Sequence, residues 1–175
     1  MMVGKKLSFE YVKAPVRRDE VLFEFRRVCS GNPQLAASLK DVSFSLYKGE
    51  ILGVAGVDGN GQSRLAQAAI GLAKPDGGSL YFQGEDIAGW SIKKRIEKGF
   101  AHISEDRMTQ GLIMDFSASE NMVLNAYDQP PCTIKGVFHA KAVREIGEKL
   151  CVEYDVLPRA PEAAARGFSG GNQQK

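Results

Sequence analysis

The chain has 175 residues, long enough for a domain with a real core, and its formal net charge of +2 argues for neither a nucleic-acid nor an acidic membrane partner. No stretch approaches the roughly 18 apolar residues of a membrane span, and the start, Met1-Met2-Val3-Gly4-Lys5-Lys6, lacks the apolar core of a signal peptide. Three cysteines, Cys29, Cys132 and Cys151, are odd in number, widely spaced and without a C-x-x-C, so reduced thiols are expected rather than a metal site or disulfides.

Residues 1–18 are polar and read as an extended lead-in. Leu22-Phe23-Glu24-Phe25 fits a first strand. Val42, Phe44 and Leu46 alternate with Ser43 and Ser45, which predicts a second strand with one buried face. Lys48-Gly49-Glu50 turns the chain into residues 50–55, an apolar run expected to be a buried strand. Residues 62–72 are expected to be a helix, followed by a turn at Pro75-Asp76-Gly77-Gly78. Residues 91–99 predict a short helix with Lys93, Lys94 and Arg95 exposed, and residues 99–103 another core strand. After Gly111 the pattern becomes helical. Ser117 and Glu120 form a capping box that starts a helix expected to run through Asn125. Pro130-Pro131 breaks it. Residues 140–153 predict a longer helix, with Val143, Ile146 and Leu150 on one face. The whole reads as an α/β core followed by a helical part.

Two segments carry chemistry. The first is Gly56-Val57-Asp58-Gly59-Asn60-Gly61-Gln62-Ser63-Arg64, set between an expected strand and an expected helix. It follows the phosphate-loop pattern G-x-x-x-x-G-K-[ST] except that Gln62 stands where the lysine belongs. The glycines let backbone N–H groups converge on a phosphate, and the Ser63 hydroxyl suits Mg²⁺. Without the cation the loop should hold a triphosphate more weakly. The second is Ser169-Gly170-Gly171-Asn172-Gln173-Gln174-Lys175, a small hydroxyl and two glycines ahead of polar residues that would open a helix toward an anion. Each has a plainer reading: a glycine-rich turn for the first, a flexible tail for the second. Glu105 likewise fits either a surface acid or a group near a bound metal.

Taken together, these motifs resemble the ATP-binding cassette family, the ATPase subunits of ABC transporters. Residues 42–50 look like the strand pair leading into the family's Walker A loop, which falls on Gly59-Asn60-Gly61-Gln62-Ser63. Residues 75–87 look like the segment after the loop's helix. Ile103-Ser104-Glu105-Asp106-Arg107 sits where the Q-loop belongs, with Glu105 at its glutamine. Gly167-Phe168-Ser169-Gly170-Gly171-Asn172-Gln173 is similar to the signature, with Phe168 at its usual leucine. The forms of these motifs resemble the second cassette of tandem importers for simple sugars or nucleosides. On that resemblance residues 1–18 are a linker from a preceding cassette, residues 19–110 a P-loop core, and residues 111–175 a helical subdomain ending in the signature.

The resemblance implies a P-loop NTPase α/β core with an antiparallel strand subdomain and a helical subdomain, in a piece that ends just after the signature. It implies ATP and Mg²⁺ as ligands. Gly56, Asp58, Gly59, Asn60, Gly61, Gln62, Ser63 and Arg64 would bind nucleotide, and Ser63 and Glu105 would approach Mg²⁺. Ser169, Gly170, Gly171, Asn172 and Gln173 would face the ATP of a partner cassette, either the first cassette of a tandem protein or a second chain. No catalytic residue is expected in this chain, because the family's Walker B carboxylates and switch histidine lie beyond the signature. Residues 31–37 offer no aromatic ring to stack on adenine. A membrane permease would contact the helical part, no nucleic acid is implied, and the protein would sit in the cytoplasm on the inner face of the membrane. The competing reading is a non-catalytic, nucleotide-responsive or interaction module.

Overall fold

A computed structural model describes residues 18–175, which divide after Phe100 into two compact units. The expected lead-in at residues 1–17 lies outside the described residues.

The first unit is built on a four-stranded antiparallel sheet in the order β2-β1-β3-β4, formed by β1 (Val21–Ser30), β2 (Leu39–Tyr47), β3 (Gly77–Phe82) and β4 (Glu85–Asp86). β1 pairs Phe25 with Phe44 on one side and with Leu80 on the other. The expected alternation in β2 holds: Val42, Phe44 and Leu46 pack on the core formed by Phe25, Val28, Leu80 and Ile87. Phe25 stacks on Phe44 at 4.6 Å and meets Phe23 edge-on at 5.4 Å. Burying a side chain of this size contributes about 1.5–3 kcal/mol. β1 is not regular. It shifts register between Arg26 and Cys29, and there Gly78, at φ +79°, passes so close that a Cβ would lie 2.3 Å from the Arg27 carbonyl oxygen. Only glycine tolerates both conditions.

Helix α1 (Gln62–Ile70) packs on this sheet through Ala68 and Leu65, and Gly71 ends it in the left-handed conformation. Helix α2 (Ile92–Glu97) starts at Ser91, whose side chain accepts the Lys94 N–H.

Two expected strands are absent. Residues 50–55 and 99–103 form no ladder, and Ile51 and Ile103 are 81% and 80% exposed. Their apolar residues suit a strand covered on both faces, yet among the described residues no segment runs alongside to pair with their backbone groups. A strand without a neighbour has nothing to satisfy its N–H and C=O groups except water.

Arg95 also departs from expectation. It is not a solvated member of the Lys93-Lys94-Arg95 run but is 3% exposed. Its guanidinium donates to the carbonyls of Ala68 (3.4 Å), Ala69 (2.6 Å) and Ile87 (2.9 Å). The first two lie at the negative end of α1, so the helix itself balances the buried cation, and the Ala68 carbonyl also accepts the Gly71 N–H (3.3 Å). Burial lowers the proton affinity of Arg95, though an arginine stays charged at any accessible pH.

The second unit is mainly helical. Ser117 and Glu120 form the capping box in full, and α3 covers Ala118–Met122, shorter than expected because the chain passes into turns after Met122. A small hairpin joins β5 (Thr133–Ile134) to β6 (Val137–Phe138). Helix α4 spans Ala140–Glu153, as its periodicity predicts, and buries Val143, Gly147 and Cys151. At Gly147 a Cβ would come within 2.5 Å of the Ser119 side chain, so glycine is what lets α3 and α4 touch. One cluster joins Ala118, Cys151, Val156 and Phe168, and another Val123, Cys132 and Val143. Burial pushes the Cys151 thiol up from its ordinary value. Helix α5 (Gly170–Gln174) follows Ser169.

Candidate functional site

In the first unit the glycine loop sits at the start of α1, as the phosphate-loop pattern requires, although its leading segment is irregular rather than a strand. Gly59 and Gly61 adopt φ +80° and +99°, conformations that turn successive N–H groups to one side of the chain. Gly61 is buried, and a Cβ there would meet the Ala37 and Ser38 carbonyl oxygens at 3.4 Å. Asn60 closes the turn by donating its N–H to the Val57 carbonyl (3.2 Å). Ser63 lies at an exposed position on the first turn of the helix.

Gln62 has a specific place. Its Nε2 donates to the Val57 carbonyl at 3.1 Å. The same amide leaves no space above Gly56, where a Cβ would lie 2.3 Å away. The side chain at the lysine position is therefore turned back onto its own loop.

Beside this loop is a cavity of about 340 Å³, lined by Gly59, Gly61, Ser63 and Arg64 on one side and by Leu35 and Ala37 on the other. Among the described residues no aromatic ring lines it. Arg64 is half-buried, and its Nε donates to Ser30 Oγ (3.1 Å), which donates in turn to the Lys74 carbonyl (3.0 Å). Glycines open toward a cavity, a serine hydroxyl and a guanidinium on its wall make a donor set suited to a nucleotide phosphate with Mg²⁺.

In the second unit, Asp106 caps a π-helical turn, Arg107–Gly111. Its side chain accepts the N–H groups of Met108 and Thr109, both at 3.1 Å, and the Thr109 hydroxyl. The Thr109 hydroxyl bond comes first among the contacts that hold this carboxyl below its usual range. Glu105 is exposed beside it. Ser63 thus belongs to one unit and Glu105 to the other.

The glycine pair at the other motif begins α5. Ser169 makes no side-chain cap of its helix; its Oγ instead accepts from Asn172 Nδ2 (2.9 Å). Asn172 Oδ1 accepts the Leu157 N–H (2.9 Å), and Gln173 Nε2 donates to the Ala165 carbonyl (3.0 Å). Asn172 and Gln173 anchor the helix, while Gly171 has open space where a side chain would be. A cavity of about 260 Å³ lies alongside, lined in part by Ser104, Arg107, Phe168 and Gln173. The Ser104 hydroxyl is buried there without a hydrogen-bond partner among the described residues. Nothing local in the sequence marks Ser104 or Arg107 beyond their place in residues 103–107.

The profile of the ABC transporter family matches residues 39–175. The chain belongs to the ABC transporter family. It is 37% identical over 175 residues to the guanosine import ATP-binding protein NupO of Bacillus subtilis (strain 168), covering 100% of this chain and 34% of that protein. It is 34% identical to the nucleoside import ATP-binding protein NupA of Lactococcus lactis subsp. cremoris (strain MG1363), covering 100% and 35%. It is 33% identical to the ribose import ATP-binding protein RbsA of Bacillus subtilis (strain 168), covering 99% and 34%. The chain thus spans about a third of the length of these curated relatives. Among solved structures, the dimeric bacterial ABC transporter cassette MJ0796 superposes with a TM-score of 0.70 at 19% identity, covering 87% of this chain and 65% of that one. A nucleotide-free cassette from an ABC transporter gives 0.65 at 21%, covering 87% and 61%. The fold is that of the cassette ATPases, a mixed α/β P-loop architecture with an antiparallel sheet, and as a family member the chain is of a nucleotide-binding class.

Proposed function

We propose that the chain is part of the ATP-binding subunit of an importer for a simple sugar or a nucleoside. The observation that carries this reading is the glycine loop at the head of α1, with Gly59 and Gly61 at positive φ beside a cavity that Ser63 and Arg64 help to line. The import ATP-binding proteins it resembles along its whole length support the same conclusion.

In this reading Gly56, Asp58, Gly59, Asn60, Gly61, Ser63 and Arg64 hold the nucleotide of the chain's own site. Ser63 serves Mg²⁺, which would offset the charge on the phosphates. Gln62 makes the site weak, since its amide carries no charge and is committed to Val57. The signature residues Ser169, Gly170 and Gly171, held in place by Asn172 and Gln173, complete the ATP site of a partner cassette. Phosphoryl transfer depends on positioned groups that counter developing charge, and a loop without lysine is poorly equipped for it. Hydrolysis is therefore assigned to the partner's site. The P-loop core and the helical subdomain divide the labour, the first holding nucleotide and the second meeting the permease. The protein works in the cytoplasm on the inner face of the membrane. Among the described residues no helix is long and apolar enough to cross it.

Titration calorimetry with MgATP tests the reading. Gln62→Lys should tighten binding by about 10- to 100-fold, because a charge-assisted contact contributes roughly 1.5–3 kcal/mol. Unchanged affinity would remove the lost cation as the cause of weakness, and no binding by either form would remove the site. The committed Gln62 amide also suits a second reading, a nucleotide-responsive module without catalysis. ATP hydrolysis by the assembled importer, lost on Gly171→Asp, decides between the two.

A further inference from the structure

The two motifs of the second unit stand far apart in sequence yet touch through one side chain. Arg107 Nε donates to Gln173 Oε1 at 3.4 Å, across 66 residues. The same guanidinium lies along the first residue of α5, where a Cβ on Gly170 would come within 2.8 Å of Arg107 Nη2. We propose that Arg107 is a positioning residue that ties the Glu105-Asp106-Arg107 turn to the signature helix, so that a shift of the turn is carried to Ser169 and Gly171.

Three features make this contact a coupling device rather than a brace. Asp106 caps the π-helical turn through three acceptor contacts, so the base of Arg107 is fixed by its own neighbour. π-helical turns are rare and are found frequently at functional sites. Gln173 is held at its other end by the Ala165 carbonyl, so its Oε1 offers Arg107 a fixed acceptor. The bond itself is single and long, and it brings a cation toward the positive end of a helix, where the dipole opposes it. Such a contact is made and released at little cost. At Gly170 the backbone φ is ordinary, and a side chain there would have to displace the Arg107 guanidinium.

This inference rests on the reading that the signature serves a partner's ATP, and two measurements separate them. The first is amide hydrogen exchange on the full chain without nucleotide. Arg107→Ala should speed exchange of the Gln173 and Gln174 amides at least tenfold, and Arg107→Lys should do so less. Gly170→Ala, which pushes the guanidinium aside, should match Arg107→Ala, and the double variant should be no worse than either single one. Unaltered exchange in Arg107→Ala, or additive effects in the double variant, overturns the contact. The second is ATP hydrolysis by the assembled importer. Arg107→Ala should lower kcat about tenfold with KM for ATP within twofold, and Arg107→Lys should recover part of the loss. A change in KM alone, or an unchanged kcat, overturns the positioning role. An importer whose unaltered form shows no ATPase sinks the functional reading of the preceding section, while the exchange result still decides the contact.

Discussion

Gln62 and Arg95 show how much a single side chain's surroundings decide. The missing lysine is plain in the sequence, but the consequence is not. The amide turns inward to Val57 and fills the space above Gly56. Arg95 was hidden in a run of cations that reads as a wet helix face. Its burial follows from a demand invisible locally: the Ala69 carbonyl at the end of α1 has no other donor among the described residues, and those of Ala68 and Ile87, which also accept the Gly71 and Trp90 N–H groups, lie within reach of the same guanidinium. Arg95→Met should therefore leave the Ala69 carbonyl unsatisfied and lower stability by about 1–3 kcal/mol in chemical denaturation. Arg95→Lys should recover only a part, since one ammonium cannot reach all three as a planar fork does. A loss below about 0.5 kcal/mol for the methionine variant would mean that water replaces the guanidinium.

At the scale of elements, legibility follows the range of the interactions. The capping box at Ser117 and the span of α4 are fixed by residues three or four apart, and both stand as the sequence predicts. Residues 50–55 and 99–103 are strands in composition only, because a strand needs a neighbour that periodicity cannot supply. The Arg107–Gln173 contact was illegible for the same reason, since a single sequence does not pair residues 66 apart. The capping box also carries a pH dependence. The Ser117 hydroxyl and N–H hold the Glu120 carboxyl below its ordinary value of 4.5. The folded state thus favours the charged form. Its stabilisation is complete above that value and is lost as pH falls through the lower folded one. The stability gap between the unaltered chain and Glu120→Gln should be constant near neutrality and close on acidification below pH 4.5; a gap that widens there would contradict the assignment.

At the scale of the whole chain, the sequence resemblance carried the family, because motif spacing survives where strand pairing does not. The glycine loop heads α1 even though its leading segment is irregular, so this junction is specified by Gly59 and Gly61 rather than by the strand expected before them. Each unit encloses its own apolar clusters, one around Phe25 and Leu80, the other around Cys151 and Phe168. The cysteines divide along the same line: Cys29 stands half-buried in β1, while Cys132 and Cys151 are shielded in the helical part. Nature has thus supplied an alkylation clock for each half without any engineered label. Under a short pulse of iodoacetamide, Cys29 should be modified first, and Cys132 and Cys151 together, at the rate at which the helical half opens. Two separate rates for that pair would reveal that its halves breathe independently.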